Sequence, residues 1–389
     1  MAKQVVSIAG IGMTTLARRD LGVEELAQQA TTAALADAGL RPADVGLVIL
    51  ANATGGRLCD QACIRGQTWL RNSGLQGVPL VNVDNSCAGG ATALRLGHIA
   101  AVGGESPVLV VGVEKMWTGH RDATLAGVED GLPATERAAL HAVLDNESGS
   151  ILMGLNSVWL DRQLSERGTT VEQVAATAVK ARRCAARNPL AQFQTPVTLR
   201  DVLDSAPVAG KLTRLMCSSF TDGAAAAVLS TAAAPRGPRI IASVGRSGNG
   251  DLDYHDRLAE AADRAWNASG VGPGDLDIVE LHDATSAEEL YALESLGFFA
   301  PGEAGRSTAA GATDLGGSGI CVNPSGGLVG RGHPLGATGV CQLAELVAHL
   351  RCSAGARQVE GARLAAAVNT GGIIGGDAAF VGIHVLERA

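Results

Sequence analysis

Short apolar runs alternate with amphipathic segments along most of the chain. Four runs lack a period-two alternation and are therefore predicted as strands buried on both faces: residues 5–12, 46–51, 78–83 and 107–112. Between the first two runs, small and apolar residues recur at helical spacing from Glu24 to Ala38, and Gly39 ends the pattern. Buried strands separated by helices predict an α/β fold in which helices cover both faces of the sheet.

A similar order of elements begins again in the second part of the chain. Strands are predicted at residues 239–244 and 278–281, with a helix at residues 254–268 between them. Residues 39–50 also align with residues 270–281 at a constant offset of 231, with Gly, Pro, Asp, Val and Leu in common. An internal repeat of this kind predicts a duplicated architecture.

A second repeat has a chemical consequence. Residues 90–92 and 336–338 both read Gly-Ala-Thr after a glycine-rich turn, at an offset of 246. In that alignment Cys87 lies opposite His333. If the two halves pack about a pseudo-twofold axis, their central helices begin close together. We therefore expect Cys87 and His333 to meet from opposite halves.

The region between the two repeats is less regular. Residues 117–235 contain charged helical segments, an Asn-Pro pair and a Thr-Pro pair. We predict an N-terminal half at residues 1–235, with an inserted loop or lid region at about 117–215, and a C-terminal half at residues 236–389.

Cys87 is the first candidate for chemistry. It lies in Asn-Ser-Cys-Ala-Gly-Gly-Ala-Thr, between a predicted strand and a predicted helix, where free N–H groups and the helix dipole favour a thiolate. A buried small residue at a tight turn would give the same local pattern. Two histidines favour the catalytic alternative. His333 precedes Pro334 in a glycine-rich loop, and His282 follows a predicted strand, where a structural role remains equally open.

Composition and charge limit the kinds of partner. The 389 residues include 51 glycines and are 46% hydrophobic but only 3% aromatic, so the core must be built from small aliphatic side chains. A net charge of −8 without a basic stripe argues against nucleic acid as a partner.

No uncharged apolar run reaches ~18 residues, so no membrane span is predicted. The eight cysteines form no disulfide framework or paired metal-binding spacing, which favours a reduced cytoplasmic protein without a bound metal.

Several motifs together resemble the thiolase superfamily, and within it the sterol-carrier-protein-type thiolases and thiolase-like acyltransferases. The resemblance covers nearly the whole chain and is carried by residues 112–116 (Gly-Val-Glu-Lys-Met), 188–189 (Asn-Pro), 221–225 (Thr-Asp-Gly-Ala-Ala) and 332–339 (Gly-His-Pro-Leu-Gly-Ala-Thr-Gly). It implies the thiolase fold, with two duplicated βαβαβαββ halves in a layered αβαβα arrangement. It also implies a homodimer or a dimer of dimers.

The resemblance also assigns roles. It implies that Cys87 accepts an acyl group from a CoA thioester, which is a substrate rather than a permanently bound cofactor. His333 would activate the thiol, and His282 would help to form an oxyanion hole for the second substrate. The turn at Gly371 and Gly372, together with Asn369, would support the tetrahedral oxyanion.

Two departures from the family pattern narrow the reaction. Thiolases that join or split two acyl-CoAs use a second cysteine to move the α-proton. In this chain Asn369 stands at one of the two positions known for that cysteine, and Ala284 stands at the other. Neither side chain can transfer a proton at neutral pH. Cys321 is a further thiol to consider, although its spacing gives no argument for it.

The remaining set, Cys87 with His282 and His333, resembles that of decarboxylating ketosynthases. It predicts acyl transfer or condensation with an acceptor that is already activated, by loss of CO₂ or by its own electron-rich carbon or nitrogen. Some thiolase-like proteins of secondary metabolism act in this way, often with a small OB-fold partner. Two alternatives are a retro-aldolase acting on a CoA thioester and a non-catalytic subunit that binds acyl-CoA or lipid.

The residues that contact CoA are poorly marked. Arg182, Arg183 and Arg187 are candidates for pairing with a phosphate, although a solvated helix face would explain them better. The sequence contains no phosphate-binding loop of the Walker type.

Overall fold

A computed structural model describes residues 4–144, 149–232 and 237–389. The predicted boundary between residues 235 and 236 lies outside the described residues. The strands are β1 (Val6–Met13), β2 (Leu47–Ala51), β3 (Leu80–Val83), β4 (Val108–Glu114), β5 (Pro207–Ala209), β6 (Leu212–Thr213), β7 (Gly223–Ser230), β8 (Arg239–Ser247), β9 (Ile278–Glu280), β10 (Cys321–Val322), β11 (Leu364–Ile374) and β12 (Asp377–Glu387). The α-helices are α1 (Val23–Ala38), α2 (Gly55–Leu58), α3 (Arg65–Trp69), α4 (Gly89–Val102), α5 (Arg121–Glu129), α6 (Ala134–Val143), α7 (Ile151–Arg167), α8 (Val171–Ala185), α9 (Leu199–Leu203), α10 (Tyr254–Ser269), α11 (Ser286–Ser295), α12 (Ala304–Ala309), α13 (Gly327–Gly330) and α14 (Thr338–Leu350).

The main sheet repeats one strand order twice. Its ten strands follow the order β10-β9-β11-β12-β8-β1-β7-β4-β2-β3. The sheet divides into two sets of five strands, β10-β9-β11-β12-β8 and β3-β2-β4-β7-β1, each counted inward from an edge. In each set the first three strands run parallel to one another, and the fourth and fifth each run antiparallel to the strand before them. The sets join where β1 pairs with β8, at Val6 with Ile240 and Ser7 with Arg239. The duplication predicted from the sequence repeats is therefore confirmed.

The helices form layers around the strands. Helix α1 covers β1, β4 and β7 on the outside of the first half, and α10 covers β8 and β12 on the outside of the second. Helices α4 and α14 contact each other and strands of both halves, so they form the middle layer. Strands β4 and β7 are buried along their whole length, which explains their continuous apolar sequences. The arrangement is the predicted αβαβα succession of layers.

Glycines allow the two halves to approach closely. A Cβ atom on Gly112 of β4 would lie 2.6 Å from the Cα atom of Ala337, just before α14. A Cβ atom on Gly90 of α4 would lie 2.9 Å from the backbone nitrogens of Gly339 and Val340 in α14. Because side chains at these positions would collide with backbone, the first turns of α4 and α14 can meet only with glycine there.

The region predicted as an irregular loop or lid is largely helical. Between residues 117 and 215 the structure has α5 to α9 and the hairpin β5–β6, and α7 and α8 are 17 and 15 residues long. The sequence pattern understated this because these helices bury polar side chains, among them Gln163, Lys180 and Arg182. Burial of such side chains obscures the apolar stripe on which the prediction depends. None of the helices in the described segments has the length and apolar character required to cross a membrane.

We predict that Gly112→Ala destabilises the protein. The new methyl group meets the backbone near Ala337 rather than a movable side chain, so we expect a loss of roughly 1–3 kcal/mol in the free energy of unfolding. Thermal and urea unfolding of the purified variant measure this loss. Gly274→Ala is the matched control, because a Cβ atom there meets nothing within 4 Å. Equal stability of the two variants would contradict the prediction.

Candidate active site

A tight turn between β3 and α4 holds Cys87. Ser86 has a positive φ of 51°, and the N–H groups of Ala88 and Gly89 donate to the carbonyls of Asn85 and Ser86, each at 3.0 Å. The Asn85 side-chain amide donates to Thr92 Oγ1 at 2.9 Å, which ties the turn to the helix. A strained non-glycine conformation that local bonds over-determine is typical of functional positions. The turn presents the Cys87 side chain at the start of α4, where it is 9% exposed.

His333 is held as a neutral imidazole. Its Nδ1 lies 2.8 Å from Thr338 Oγ1, and the Thr338 hydroxyl donates its own proton to the Pro334 carbonyl at 3.0 Å. The Thr338 oxygen must therefore accept from the imidazole, which assigns the proton to Nδ1 and leaves the Nε2 lone pair unprotonated. Burial, followed by the charges of His282 and Arg331, lowers the pKa of His333 well below its ordinary value. His333 has the protonation state of a general base.

His282 has the opposite electrostatic environment. Its Nδ1 lies 3.2 Å from Glu288 Oε1, and Glu288 also accepts from the Tyr254 hydroxyl at 2.7 Å and the Ala284 N–H at 3.2 Å. Burial alone would lower the pKa of His282, but the charge of Glu288, together with contacts to Glu288 and Cys87, outweighs burial and raises that pKa to about 10. The ring is therefore a charged imidazolium at neutral pH. Its buried Nε2 has no hydrogen-bond partner in the described segments, so this nitrogen is an available donor.

The three predicted catalytic side chains come together. The Cys87 sulfur and one nitrogen from each of His282 and His333 lie within 4.8 Å of one another. The two imidazole rings cross nearly edge to face, with centroids 5.1 Å apart and planes 78° apart. The expectation that Cys87 and His333 meet from opposite halves is confirmed. One sulfur and two imidazole nitrogens are also ligand types suited to Zn²⁺, but one neutral and one charged ring beside a thiol suit acid–base and nucleophilic chemistry.

A cavity of about 930 Å³ opens onto these three residues. Its apolar lining includes residues from the inserted helical region, such as Leu125 of α5 and Trp159 of α7. Glu288 is the only carboxylate among its described lining residues, whereas the lining contains four arginines, Arg18, Arg121, Arg182 and Arg214. The charged side chains of the cavity lining are therefore mostly positive, although the net charge of the whole chain is −8.

The remaining predicted site residues are divided between the cavity and the core. Gly371 and Gly372 line the cavity, and Gly372 has a positive φ of 69°. Gly371 lies so close to the backbone N–H of Ala88 that a side chain would collide with it. Asn369 does not line the cavity. It is buried beside Gly339, and its amide has no hydrogen-bond partner within the described part of the chain.

The structure also shows where the positions predicted for a second thiol, Ala284 and Cys321, lie relative to the cavity. Ala284 lines the cavity, so the missing cysteine leaves a methyl group facing the site. Cys321 lies in β10, outside the cavity lining, and burial raises the pKa of its thiol. Cys217, which no motif in the sequence marks as functional, does line the cavity. Its thiol donates to the Thr213 carbonyl at 3.5 Å, and burial raises its pKa to about 12, so it holds its proton.

Glu288 and Thr338, the partners that give the two histidines different charge states, do not stand out in the sequence. Glu288 occupies the third position of α11, a usual place for a glutamate at a helix N-terminus, and this common pattern concealed its contact with His282. Thr338 follows His333 by five residues within a motif that was recognised. Its hydroxyl could have been considered as an orienting group for the imidazole.

Of the candidate phosphate-binding arginines, only Arg182 reaches the cavity. Arg183 forms an ion pair with Asp314 at 2.6 Å, and Arg187 is exposed. The solvated-face interpretation therefore fits Arg183 and Arg187 but not Arg182.

Comparison with known families agrees with this fold and site. The thiolase N-terminal domain family matches residues 6–233, and the thiolase C-terminal domain-like family matches residues 247–383. The chain belongs to the thiolase family.

Curated relatives at more than 30% identity include enzymes of CoA thioester metabolism. The chain is 36% identical to an acetyl-CoA acetyltransferase of Methanothermobacter thermautotrophicus, with 98% of this chain and 99% of that protein covered. It is 34% identical to bovine (Bos taurus) sterol carrier protein 2, with 95% of this chain and 70% of that protein covered. It is 32% identical to benzoylsuccinyl-CoA thiolase subunit BbsB of Thauera aromatica, with 91% of each chain covered. Acyl transfer is therefore the class of reaction that these relatives support.

Solved structures support the fold. The Ltp2-ChsH2(DUF35) aldolase matches with a TM-score of 0.81 at 23% identity, covering 100% of this chain and 99% of that chain. Human mitochondrial 3-ketoacyl-CoA thiolase matches with a TM-score of 0.73 at 20% identity, covering 100% of each chain. The predicted thiolase fold is confirmed.

We predict that Glu288→Gln makes His282 neutral. Burial has the largest effect on this pKa, and without the carboxylate charge only the contact with Cys87 opposes it, so the pKa of His282 should fall from about 10 to below about 8. Nitrogen NMR of labelled histidine at pH 8 should show an imidazolium in the parent protein and a neutral ring in the variant, with the signal assigned through His282→Gln. Glu294→Gln is the control, because Glu294 lies on the same helix but pairs with Arg167. A neutral His282 in the parent protein at pH 8 would contradict the prediction.

Proposed function

We propose that this chain is an acyltransferase or condensing enzyme. It accepts an acyl group from a CoA thioester onto Cys87 and passes it to an activated carbon or amine. The observation that carries the proposal is that Cys87 lies beside one neutral and one charged histidine. In the same cavity, Ala284 stands where related thiolases have a second thiol. No permanently bound cofactor is required for this chemistry.

In the first half-reaction, the Nε2 lone pair of His333 takes the Cys87 proton while the sulfur attacks the thioester carbonyl. The tetrahedral oxyanion lies near the turn at Gly371 and Gly372, where backbone N–H groups can donate to it. The carbon–sulfur bond to CoA then breaks, and the proton on His333 passes to the departing CoA sulfur. The products are an acyl thioester on Cys87 and free CoA thiol.

In the second half-reaction, the acceptor's electron pair forms a bond to the acyl carbon on Cys87 while the acceptor loses CO₂ or a proton. The carbon–sulfur bond to Cys87 breaks, and the sulfur regains a proton through His333, from the amine or ring carbon, or from water where CO₂ is lost. The charged Nε2–H of His282 donates to a carbonyl oxygen of the reacting pair, where negative charge develops. An unactivated acyl-CoA would need a base for its α-proton. Ala284 cannot supply one, Cys217 holds its own proton and Cys321 lies outside the cavity lining. The acceptor therefore has to be activated by decarboxylation or by its own electron-rich carbon or nitrogen.

The two alternatives fit these observations less well. A retro-aldolase gives the pairing of Cys87 with a neutral His333 no task. A non-catalytic acyl-CoA or lipid carrier has no need of two histidines held in opposite charge states. The relatives also favour a CoA thioester as substrate, because an acetyltransferase and a thiolase subunit named for CoA substrates are among them.

The proposal includes assembly. Strand β3 is an unpaired edge of the main sheet, and the exposed apolar residues Val81, Leu96, Ile99 and Val102 lie on it and on the neighbouring α4. An exposed edge strand with apolar neighbours favours association, and a second copy in a homodimer or dimer of dimers is the occupant that the family resemblance suggests. A small OB-fold partner and a reducing, cytoplasmic location remain part of the same proposal.

We predict that short acyl-CoAs acylate Cys87. Intact-protein mass spectrometry after incubation should detect one added acyl group in the parent protein and none in Cys87→Ala. If the isolated chain does not react, the same measurement with a co-expressed OB-fold partner decides. Absence of a Cys87-dependent adduct under both conditions would exclude the proposed intermediate.

We predict different effects for the two histidines. His333→Ala should slow acylation by roughly 10²–10⁴-fold, because the thiol loses its base, whereas His282→Ala should mainly slow release of the acyl group to the acceptor. Rapid-quench mass spectrometry measures acylation, and discharge of preformed acyl-enzyme to an acceptor measures transfer. Equal losses of the acylation rate in both variants would contradict the assigned roles.

We predict that Ile99→Glu dissociates the assembly. A charge in the centre of an apolar contact would be desolvated without a partner, so light scattering after size-exclusion chromatography should give the monomer mass. Val143→Glu is the control, because Val143 is 75% exposed and lies on α6, outside this face. The proposed contact would be wrong if both variants kept the mass of the parent protein.

A further inference from the structure

Arg182 is an unusual arginine because it is buried without a carboxylate. It is 8% exposed, and its side chain has no hydrogen bond or ion pair with any described residue. Its one specific contact is the Phe193 ring, whose centroid lies 4.1 Å from the guanidinium carbon. A buried guanidinium normally has paired oxygens, because leaving a charge unpaired inside a protein is costly.

Arg182 lies on the wall of the cavity that also holds His333. Helix α8 packs directly against the loop before His333, and a Cβ atom on Gly330 would lie 2.6 Å from the Ala181 carbonyl oxygen. Beyond Phe193, the Gln192 N–H donates to the Arg331 carbonyl at 2.9 Å. The Thr221 hydroxyl donates to the Gln192 side-chain carbonyl and accepts the backbone N–H of His333 at 3.2 Å. The guanidinium is thus fixed relative to the catalytic loop.

The charges around the cavity leave Arg182 without an internal partner. Glu288 is the only described lining carboxylate, and it already pairs with His282. The exposed lining arginines, Arg18, Arg121 and Arg214, add positive charge. Neighbouring Arg183 has its own partner, Asp314. An oxyanion that pairs with the Arg182 guanidinium therefore has to be part of a ligand that enters the cavity.

We propose that the Arg182 guanidinium binds an oxyanion carried by the substrate. The oxyanion is either a carboxylate on the acyl or acceptor moiety or a phosphate of CoA. A planar guanidinium offers several N–H donors in a fork that matches both groups. The Phe193 ring lies 4.1 Å from the guanidinium carbon and limits its movement on that side. This inference rests on the proposed function only for the thioester nature of the substrate.

The test uses four thioethers that cannot acylate Cys87: S-carboxypropyl-CoA, S-butyl-CoA and the two matching pantetheine thioethers. The acyl mimics have four carbons each and differ in the carboxylate. The CoA carrier has the phosphates together with the adenosine, and the pantetheine carrier has neither. Calorimetric dissociation constants are measured for the parent protein, Arg182→Gln and the control Arg183→Gln. Because no acyl transfer is involved, failure of this inference and failure of the Cys87 intermediate are separate results.

We expect Arg182→Gln to weaken binding by roughly 10–100-fold for ligands that carry the recognised oxyanion, and by less than about twofold for the others. Weakening confined to the carboxypropyl ligands identifies a carboxylate, and weakening confined to the CoA ligands identifies a phosphate. Arg183→Gln should change none of the four by more than about twofold. Equal weakening of all four ligands, no weakening, or the same effect in Arg183→Gln overturns the proposal.

Arg182→Lys is the second variant. It keeps the positive charge but lacks the fork, so its binding of the recognised ligands should lie between those of the parent protein and Arg182→Gln. If Arg182→Gln does not fold, the comparison of Arg182→Lys with the parent protein on the same four ligands decides. Unchanged binding of all four by Arg182→Lys would then overturn the proposal.

Discussion

The contact between the first turns of α4 and α14 determines how closely Cys87 and His333 approach each other. Cys87 lies just before α4, and His333 lies shortly before α14. The distance between sulfur and nitrogen is therefore set by how closely the two halves meet. Gly90 and Gly112 remove the side chains that would separate them. Two polar contacts complete the junction, because the Gly336 N–H donates to Glu114 at 2.9 Å and His384 Nε2 lies 3.0 Å from the Ala91 carbonyl oxygen.

The two active-site histidines differ because only one of them has a carboxylate. Both rings are buried, and burial alone favours the neutral form of each. Glu288 reverses this preference for His282, and the resulting positive charge further disfavours protonation of His333. A single glutamate thus contributes most to the opposite charge states of two identical side chains. Tyr254 and the Ala284 N–H donate hydrogen bonds to the same carboxylate, which holds it in place beside His282.

Most of the fold could be predicted from the sequence because the repeated strands are continuously apolar and the two halves share their turn chemistry. The pairing of Cys87 with His333 followed from the same repeat. The charge state of His282 could not be predicted, because it depends on a contact with Glu288 that a helix-capping pattern also explains. The burial of Arg182 was hidden for a similar reason. Two adjacent arginines on a charged helix look equivalent in sequence, yet one faces Asp314 and the other faces the cavity.

The methyl group of Ala284 places the central constraint on the chemistry. A thiol at that position could remove an α-proton and return it, so that two ordinary acyl thioesters could be joined or separated. With alanine there, the site keeps a nucleophile, a base for that nucleophile and a positive donor. In the proposed mechanism, the one available nitrogen of His333 serves the Cys87 sulfur in both half-reactions, because its other nitrogen is committed to Thr338. In that mechanism the electron pair that forms the new bond therefore arrives with the acceptor. Carbon–carbon bond formation is consistent with an acceptor that loses CO₂ or has an electron-rich carbon. Bond formation to nitrogen is consistent with a neutral amine.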